Sequence, residues 1–369
     1  MKRILFFHPD LRGGGAEKVL VDLVNNLDPR KYDISLYTIF EEGVNRKNLK
    51  PHVKQKFWFR KVFRGYSVVQ RFFSPAFLFR FFVKEEFDIV VAYLEGVPTR
   101  IIGGCQRKQA TKIAWLHTKL SEAPLQRVFR GKAEMLALYN GYQHIVCVSD
   151  VARTTLLEYL PVNPNRVSVI YNTLDVDAVL RRGAEGQSMF APQPDVVTLC
   201  TVGRLTEVKG YERLLKVLAQ LKSEDFPFRM FFVGDGHLLP HLQAFVNAND
   251  LQNSVSFLGF SENPYPFVKA SDLFVCSSFT EGYSTAVTEA ILLEVPVITT
   301  LCPGMNEILG NGEYGLIVEN SEAGLYEGLR NLLSDRSLIG HFKHKAGDRR
   351  IQFMEKGKCE DVEALFDAI

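Results

Sequence analysis

Two basic side chains stand close together in the second half of the sequence, in the segment Gly203-Arg204-Leu205-Thr206-Glu207-Val208-Lys209-Gly210. The segment follows a predicted strand and precedes a predicted helix, so Arg204 and Lys209 would emerge at the carboxyl edge of a sheet. A guanidinium offers a planar fork of donors and an ammonium a compact charge, and the two together suit a diphosphate. The pair therefore indicates a phosphate ligand, although each cation alone is typical of a solvated surface.

Two carboxylates, Glu281 and Glu289, flank a second candidate anion site. A helix is predicted to begin near Ser284, so the backbone N–H groups of Thr285 and Ala286 can point at a phosphate. Glu289 lies one turn beyond Thr285 on the same helix face, within reach of a ribose hydroxyl, and Glu281 can reach a sugar. Acids beside a phosphate are unfavourable unless they bind hydroxyls. The alternative is a plain capped helix with solvated acids.

The third candidate site is the run Gly13-Gly14-Gly15 between a predicted strand and a predicted helix. Backbone without Cβ atoms can approach a pyrophosphate or a sugar closely there, or can form a tight turn with no ligand. A dinucleotide fingerprint requires a third glycine where Lys18 stands, which disfavours a nicotinamide enzyme, although Glu41 or Glu42 could imitate its ribose-binding acid. His117 follows another predicted strand, where a lone histidine is more often structural.

These segments need a scaffold of alternating strands and helices. Strands are predicted at 2–9, 32–39, 87–92, 111–116, 144–148 and 167–170, and again at 197–202, 230–233, 255–258, 273–276, 296–299 and 316–318. Residues 181–196, with two prolines, resemble a linker. Alternation of this kind predicts parallel sheets, so we expect an α/β protein with two Rossmann-like domains that face each other across a cleft.

Composition narrows the classes of protein further. The chain has 369 residues, of which 46% are hydrophobic and 23% charged, so disorder and a disulfide scaffold are disfavoured. Six scattered cysteines indicate a reducing compartment, and no apolar run approaches the length of a membrane span, so we expect a cytoplasmic protein. Metalloprotease, Walker and nucleophile-elbow motifs are missing from the sequence, which disfavours metal and acyl-transfer chemistry.

Charge is divided unequally along the chain. Residues 1–172 hold 27 Lys and Arg against 15 Asp and Glu, and residues 173–369 hold 17 against 27. Residues 54–84 contain eight basic residues and no acid, interleaved with phenylalanines. This pattern favours an interfacial helix on anionic lipid. The alternatives are a core-facing aromatic helix or single-stranded nucleic acid, and a nucleic acid would not explain the paired glutamates, so we predict no nucleic-acid partner.

Three spaced motifs together resemble the retaining glycosyltransferases of the GT-B fold, the group 1 family (glycosyltransferase family 4), over nearly the whole chain. They are Gly14-Gly15-Ala16-Glu17, Gly203-Arg204 through Lys209-Gly210, and Glu281 with Glu289 in a Glu-x7-Glu pattern. Ser284 stands where many members have glycine. Such variants are similar to polysaccharide and glycan-assembly enzymes, many of them N-acetylhexosaminyltransferases.

The resemblance implies a GT-B fold, with an acceptor-side domain over 1–175 completed by a C-terminal helix at about 352–369, and a nucleotide-sugar domain over 176–351. It implies transfer of a hexose or N-acetylhexosamine from a UDP-sugar to a glycan hydroxyl, with retention and without a metal or other cofactor. The implied catalytic set is Glu281, His117, Arg204 and Lys209. The implied donor-binding set is Gly14, Gly15, Ala16, Arg204, Lys209, Ser261, Ser284, Thr285, Ala286 and Glu289.

The same resemblance, with the basic first half, predicts the acceptor and the location. We expect a polyprenyl-diphosphate-linked glycan acceptor in surface polysaccharide or glycoconjugate assembly. The protein would lie peripherally on the cytoplasmic face of the membrane, bound through about 54–84. Alternatives are a nucleotide-sugar epimerase, a GDP-mannose-dependent transferase, a dehydrogenase or a non-catalytic scaffold.

Overall fold

A computed structural model describes residues 1–118, 120, 126–172, 174–185, 193, 195–355 and 359–369. Contacts between residues divide the chain into two compact units. The first consists of residues 1–174 with 358–369, and the second of residues 175–357. Each unit contains a parallel sheet, so the predicted α/β class with two Rossmann-like domains is confirmed.

The first unit is built on a seven-stranded sheet in the described part of the chain. Its strands are β1 (Lys2–His8), β2 (Tyr32–Phe40), β3 (Lys54–Phe59), β4 (Ile89–Ala92), β5 (Thr111–Leu116), β6 (His144–Cys147) and β7 (Val167–Val169), in the order β3-β2-β1-β4-β5-β6-β7. Its helices are α1 (Gly15–Asn26), α2 (Tyr66–Val69), α3 (Pro75–Phe82), α4 (Val97–Gly103), α5 (Lys132–Asn140) and α6 (Asp150–Tyr159).

Apolar runs explain why these strands pair. Ile4 through Phe7 of β1 are fully buried, as expected for a parallel strand covered on both faces. In α1 the residues Val19, Leu20, Leu23 and Val24 repeat at helical spacing and are buried, so the helix packs one face on the sheet. Chain order reverses between β1 and β4, and the loops that leave these two strands therefore diverge at the carboxyl edge.

The second unit repeats this topology with a six-stranded sheet among its described residues. Its strands are β8 (Val197–Val202), β9 (Phe228–Val233), β10 (Val255–Gly259), β11 (Leu273–Cys276), β12 (Val297–Thr300) and β13 (Leu316–Val318), in the order β10-β9-β8-β11-β12-β13. Its helices are α7 (Val176–Gly183), α8 (Tyr211–Ser223), α9 (Leu239–Ala248), α10 (Tyr265–Lys269), α11 (Thr285–Leu292), α12 (Met305–Leu309), α13 (Glu322–Ser334) and α14 (Arg336–Glu355). Here the order reverses between β8 and β11.

A final helix, α15 (Glu360–Asp367), belongs to the first unit although the second unit precedes it in the chain. The Phe366 ring meets Phe6 and Tyr32 edge-on, at centroid distances of 6.1 and 5.9 Å. Glu363 forms an ion pair with Lys31 at 3.1 Å. The helix predicted at about 352–369 is therefore not continuous, because Cys359 directly before α15 has a non-helical φ of −143°, and residues 352–355 belong to α14.

Residues 54–84 do not form the single interfacial helix that the sequence predicted. They comprise edge strand β3 and the short helices α2 and α3, with a 3-10 turn at Gln70–Phe72. The strand is fixed by ion pairs of Lys54 with Asp33 and of Lys56 with Glu85, and Trp58 packs on Phe82 at 5.0 Å. The helical prediction was wrong here because a short run of aromatic residues alternating with cations fits the two-residue period of a strand as well as the period of a helix.

Two further sequence predictions concern segments rather than sites. Residues 181–183 of the predicted linker end helix α7, while 186–192 and 194 lie outside the described residues. None of the described helices is long and apolar enough to cross a membrane.

Candidate active site

The loops that leave β8 and β11 meet at the carboxyl edge of the second sheet. These strands are neighbours, and the chain order reverses between them. Ligands of open α/β sheets bind at such a reversal, because the diverging loops leave a crevice there. The β8 loop carries Arg204 and Lys209, and the β11 loop carries Glu281.

Lys209 and Glu281 form an ion pair across this reversal. Lys209 Nζ lies 2.7 Å from Glu281 Oε1, with 24% and 13% of the two side chains exposed. The Ser278 hydroxyl donates to the same carboxylate oxygen at 2.5 Å. Burial opposes the charge on the amine, but the Glu281 carboxylate outweighs it and raises the pKa of Lys209 above its ordinary value. The site therefore holds a permanent cation whose neighbouring carboxylate has a fixed orientation.

Close backbone contact holds the two loops together. Gly210 has φ +63°, and a Cβ there would lie 2.2 Å from the Ser277 carbonyl oxygen. The Ser277 hydroxyl donates to the Lys209 carbonyl at 2.8 Å, and the Phe279 N–H donates to the Val208 carbonyl at 2.8 Å. Only glycine meets both the left-handed conformation and the close approach at 210.

Arg213, which sequence reasoning missed, fixes the β11 loop from below. Its buried guanidinium donates to the Ser277 carbonyl at 2.6 and 2.9 Å and to the Ser278 carbonyl at 2.8 Å. The guanidinium carbon lies 4.0 Å from the centroid of the Phe279 ring. Arg213 is thus a positioning residue for the loop that carries Glu281. Its sequence signal is weak, being a cation next to the apolar face of α8.

Helix α11 begins at the same edge, as the sequence predicted. Ser284 is its N-cap and accepts a hydrogen bond from the Val287 N–H at 3.4 Å. The N–H groups of Thr285 and Ala286 occupy the first two helical positions, which have no partner within the helix. A cavity of about 10 Å³, close to the size of one water, is lined by Lys209, Ser284 and Ala286 among others. Lys209 and the N-terminal end of α11 therefore line one small cavity.

Glu289 is placed differently from Glu281. It is buried, with 6% of the residue exposed, and accepts a hydrogen bond from the Tyr265 hydroxyl at 3.3 Å. The predicted spacing of one turn from Thr285 holds, since both lie in α11. Its role toward a ribose stays a prediction.

Arg204 and Ser261 lie at the same sheet edge without joining the ion pair. Arg204 is exposed, and no hydrogen bond or ion pair of its side chain is found within the described ranges. Ser261 is half-buried in the loop after β10, two strands from β8. Arg204 is therefore an unneutralised cation in the same loop as Lys209.

The carboxyl edge of the first sheet carries two buried histidines, His8 and His117, and an ion pair within one loop, between Asp10 and Arg12 at 3.1 Å. His117 follows β5 and is 5% exposed, and neither ring nitrogen has a partner among the residues described. Its ring centroid lies 4.6 Å from that of Tyr93, and its backbone N–H donates to Glu95 at 2.8 Å. Burial, with a smaller contribution from His8, lowers the pKa of His117 to about 3. A neutral imidazole whose buried nitrogens have no partner among the described residues keeps one donor and one acceptor, the two roles that a hydroxyl can satisfy.

The glycine run precedes α1, with Gly14 as N-cap. The Glu17 carboxylate folds back over it, so that a Cβ on Gly14 would lie 2.1 Å from a Glu17 oxygen. An anion approaching the amides of Gly15 and Ala16 would therefore meet a carboxylate. Their predicted binding of the donor phosphate is untested.

No group of three or more potential metal ligands lies together in the part of the chain that the structure describes. The expectation that no metal or other cofactor takes part stays a prediction.

Comparison with known proteins gives two family matches that follow one another along the chain. Residues 13–178 match the family described as Glycosyltransferase Family 4, and residues 190–349 match the one described as Glycosyl transferases group 1. Each half of the sequence thus carries its own family signature.

Individual relatives agree with these matches. The chain is 28% identical over 200 residues to the Campylobacter jejuni N-acetylgalactosamine-N,N'-diacetylbacillosaminyl-diphospho-undecaprenol 4-alpha-N-acetylgalactosaminyltransferase, a match that covers 54% of this chain and about half, 53%, of that enzyme. It is 25% identical to a Haemophilus influenzae glycosyltransferase over 94% of both chains. Among solved structures, Anabaena HepE in complex with UDP and glucose covers 100% of both chains with a TM-score of 0.77 and 17% identity, which shows a shared fold.

Proposed function

The chain belongs to the group 1 glycosyltransferases with a GT-B fold, and on that premise we propose that it moves a sugar from a UDP-sugar to a hydroxyl of a glycan acceptor with retention at the anomeric carbon. The donor sugar would be a hexose or N-acetylhexosamine. The observation that carries the proposal is the Lys209–Glu281 pair at the chain reversal of the second sheet.

Lys209 and Arg204 would act on the leaving diphosphate. As the bond between the anomeric carbon and the phosphate oxygen breaks, its electron pair moves to the diphosphate, whose added charge the two cations stabilise. The N–H groups of Thr285 and Ala286 can add to this stabilisation. Glu281, held by Lys209 and Ser278, would orient the sugar, and Glu289 would bind the ribose.

The acceptor hydroxyl would attack the anomeric carbon from the face that the diphosphate leaves. Its oxygen forms the new glycosidic bond, and its proton passes to the departing phosphate oxygen. This path uses the leaving group as base and gives retention. His117, neutral because of its lowered pKa, would bind hydroxyls of the sugar without competing for the proton.

The nucleotide is proposed from a structural neighbour. HepE was solved with UDP and glucose, which supports UDP as the carrier, although 17% identity makes this a proposal for the present chain. A GDP-sugar is the second candidate.

The acceptor is proposed from a relative and from the first unit's surface. The Campylobacter enzyme's name contains a diphospho-undecaprenol, which supports a polyprenyl-diphosphate-linked glycan here. The described residues between 59 and 81 include eight large apolar side chains that are exposed, which are Phe59, Phe63, Val68, Val69, Phe72, Phe73, Phe77 and Phe81. With the surrounding cations they would hold the protein on the cytoplasmic face of the membrane, where surface glycans are assembled.

The purified protein should be incubated with a panel of UDP- and GDP-sugars, with and without lipid-linked acceptors, and nucleotide release measured alongside product mass. We expect release that requires an acceptor and adds one sugar mass, and we expect its loss in Lys209→Ala and in Glu281→Ala.

The matched control is a second ion pair of the same unit. Lys216 and Glu212 lie 3.7 Å apart on the exposed face of α8, so Lys216→Ala and Glu212→Ala remove the same charges away from the site. Equal turnover in all four variants, or no release from any donor, would contradict the proposal. Interconversion of the donor without an acceptor would indicate an epimerase.

A further inference from the structure

A cavity of about 410 Å³ opens in the first unit beside the Gln70–Phe72 turn. Phe129 and Met135 are buried in its wall, and the polar side of the lining is basic. The rest of the lining includes Arg71, Arg130, Lys132 and Tyr159. The volume falls in the range of small-molecule sites, and the described residues of the lining include three cations and no carboxylate.

The cations of this cavity lack carboxylate partners within the described residues. Arg130 donates to the backbone carbonyls of Arg71 at 2.8 Å and Phe72 at 3.2 Å, and Lys132 lies 4.9 Å from the centroid of the Tyr159 ring. Glu134, the neighbouring acid, accepts two hydrogen bonds from the guanidinium of buried Arg100, at 2.9 and 3.1 Å, and one from the backbone N–H of Arg130 at 2.8 Å, but forms no ion pair with the Arg130 side chain. Counted together with Arg100 and Glu134, the described residues around the cavity carry an excess of positive charge, which suits an anionic ligand.

The same cations join the cavity to the exposed aromatic surface. Phe72, whose carbonyl Arg130 holds, is 80% exposed. Phe73, just before α3, and Phe77 and Phe81 within it form a ladder of stacked rings, with neighbouring centroids 5.3 and 6.4 Å apart. Arg100 also donates to the Phe73 carbonyl at 3.0 Å, so the turn between cavity and ladder is fixed from below.

We propose that this cavity binds the phosphate of a membrane lipid, with Arg71, Arg130 and Lys132 around the phosphate and Phe72 and the ring ladder in the adjoining interface. Phenylalanines on a basic surface enter the boundary between headgroups and acyl chains, and the cations would then lie at phosphate depth. The inference rests on the proposed membrane-bound acceptor and adds to it a defined site in place of diffuse attraction.

The test measures binding of the full chain to phosphatidylcholine vesicles with and without phosphatidylglycerol, by sedimentation. The variant Arg71→Gln/Lys132→Gln should bind the anionic vesicles about thirtyfold more weakly, since each basic side chain at an anionic surface contributes roughly fivefold. Phe72→Ser should also weaken binding. Tryptophan fluorescence during urea unfolding reports whether each variant is folded.

The matched control is Arg80→Gln/Lys84→Gln, which removes two exposed charges of the same stretch and leaves the cavity intact. A monomeric short-chain phosphatidic acid, added with saturating UDP to fill the donor site, separates a defined site from general attraction. We expect the wild type and the control to bind it and the cavity variant to lose it. Equal binding by all three, or binding by none, would overturn the proposal.

Two further arms identify the source of the phosphate. Vesicles that contain geranylgeranyl diphosphate in place of phosphatidylglycerol test an isoprenoid lipid, and inorganic phosphate tests the free anion. Binding of inorganic phosphate as tightly as of the lipids would overturn the lipid assignment. Sugar transfer to a water-soluble acceptor should persist in the cavity variant, so failure of this site and failure of the proposed transferase give different results.

Discussion

The two sheets share one strand order and one point of chain reversal, yet the loops at their carboxyl edges are held differently: an ion pair joins two loops in the second unit, whereas the Asp10–Arg12 pair of the first lies within one loop. The second sheet holds Lys209 and Glu281 as a hydrogen-bonded ion pair. The first holds His117, buried and neutral, with both ring nitrogens unpartnered among the described residues. The same topology thus supports an ion pair between two loops in the second unit and, within the described residues, a buried, unpartnered imidazole in the first.

The helix N-termini beside the two sheets also differ in their capping and charge. Helix α11 has a serine cap and no acid in its first turn, whereas α1 has Glu17 in its first turn and no side-chain cap. A helix N-terminus attracts anions, and Glu17 already supplies one to α1. Two units with the same topology therefore need not both bind phosphate. The absence of an acid in the first turn of α11 favours the second unit as the one that binds the diphosphate.

The largest effect on turnover is expected when the Lys209–Glu281 ion pair is removed. Lys209→Met should lower kcat by about 10²- to 10³-fold, as loss of one preorganised stabilising group does, and Glu281→Gln should cost a similar factor. The double variant should be little worse than either single one, because the two groups act as a unit. Nucleotide release measures this, with Lys216→Met as control. Multiplicative losses would mean that the two residues act separately.

The close contact between the β8 and β11 loops predicts the next largest effect, a loss of stability of the second unit. Gly210→Ala should destabilise the second unit by about 1–3 kcal/mol, because its φ is +63° and the new Cβ would meet the Ser277 carbonyl. Gly259→Ala is the matched variant, with φ +74° but open space around the Cβ, and should cost roughly 1–2 kcal/mol. Urea unfolding followed by circular dichroism compares the two. Equal losses would show that the loops move apart freely.

The buried neutral His117 should make the stability of the first unit depend on pH. Unfolded His117 takes up a proton near its ordinary pKa of about 6.5, whereas the folded group resists until about pH 3. Its contribution to stability is therefore complete above pH 6.5 and falls as the pH drops, by about 1.4 kcal/mol per unit, or about 2 kcal/mol by pH 5. His117→Gln should lose this part of the pH dependence.

The chain offers a clean probe for that measurement. Both tryptophans, Trp58 and Trp115, lie in the first unit, so their fluorescence follows its unfolding. Exposed His237 in the second unit, paired with Glu207 at 2.9 Å, provides the control variant His237→Gln. An unchanged acid response in His117→Gln would mean that the imidazole is charged in the folded protein.

The smallest effect concerns the two helix N-termini. Glu17→Gln should destabilise the first unit by about 0.3–1 kcal/mol, because the helix loses a charge that its dipole favours. Exposed Glu158 near the C-terminus of α6 is the control, since Glu158→Gln should have the opposite sign or no effect. Fluorescence-monitored unfolding in low salt resolves the difference. A larger loss for Glu158→Gln would contradict the comparison.

Much of the scaffold was predictable because buried parallel strands are continuous apolar runs. The strands at 111–116, 197–202, 273–276 and 316–318 were predicted with the bounds that the structure has. Strand β3 was missed because its Lys and aromatic residues satisfy more than one pattern. The separation of residues 352–355 from α15 was also missed, since a helical pattern does not reveal which unit each part contacts.

The candidate site was predictable in its membership and less so in its contacts. The motif spacing identified Lys209 and Glu281 as site residues, with Lys209 expected to bind a diphosphate and Glu281 a sugar. It did not predict the ion pair that they form with each other. Arg213 acts through backbone carbonyls 64 residues away in sequence, which no local pattern encodes. The position of His117 at a strand end was visible, but its neutrality follows from burial that only the packed structure shows.

The place of α15 has a consequence for synthesis of the protein on the ribosome. The helix completes the first unit, yet residues 175–357 are translated before it. At roughly 5–20 residues per second, the second unit takes about 10–40 s to emerge. During that interval the surface of Phe6 and Tyr32 that contacts Phe366 stays uncovered. The first unit is therefore completed only after the second has been translated, and until then it exposes an apolar patch that a chaperone could bind.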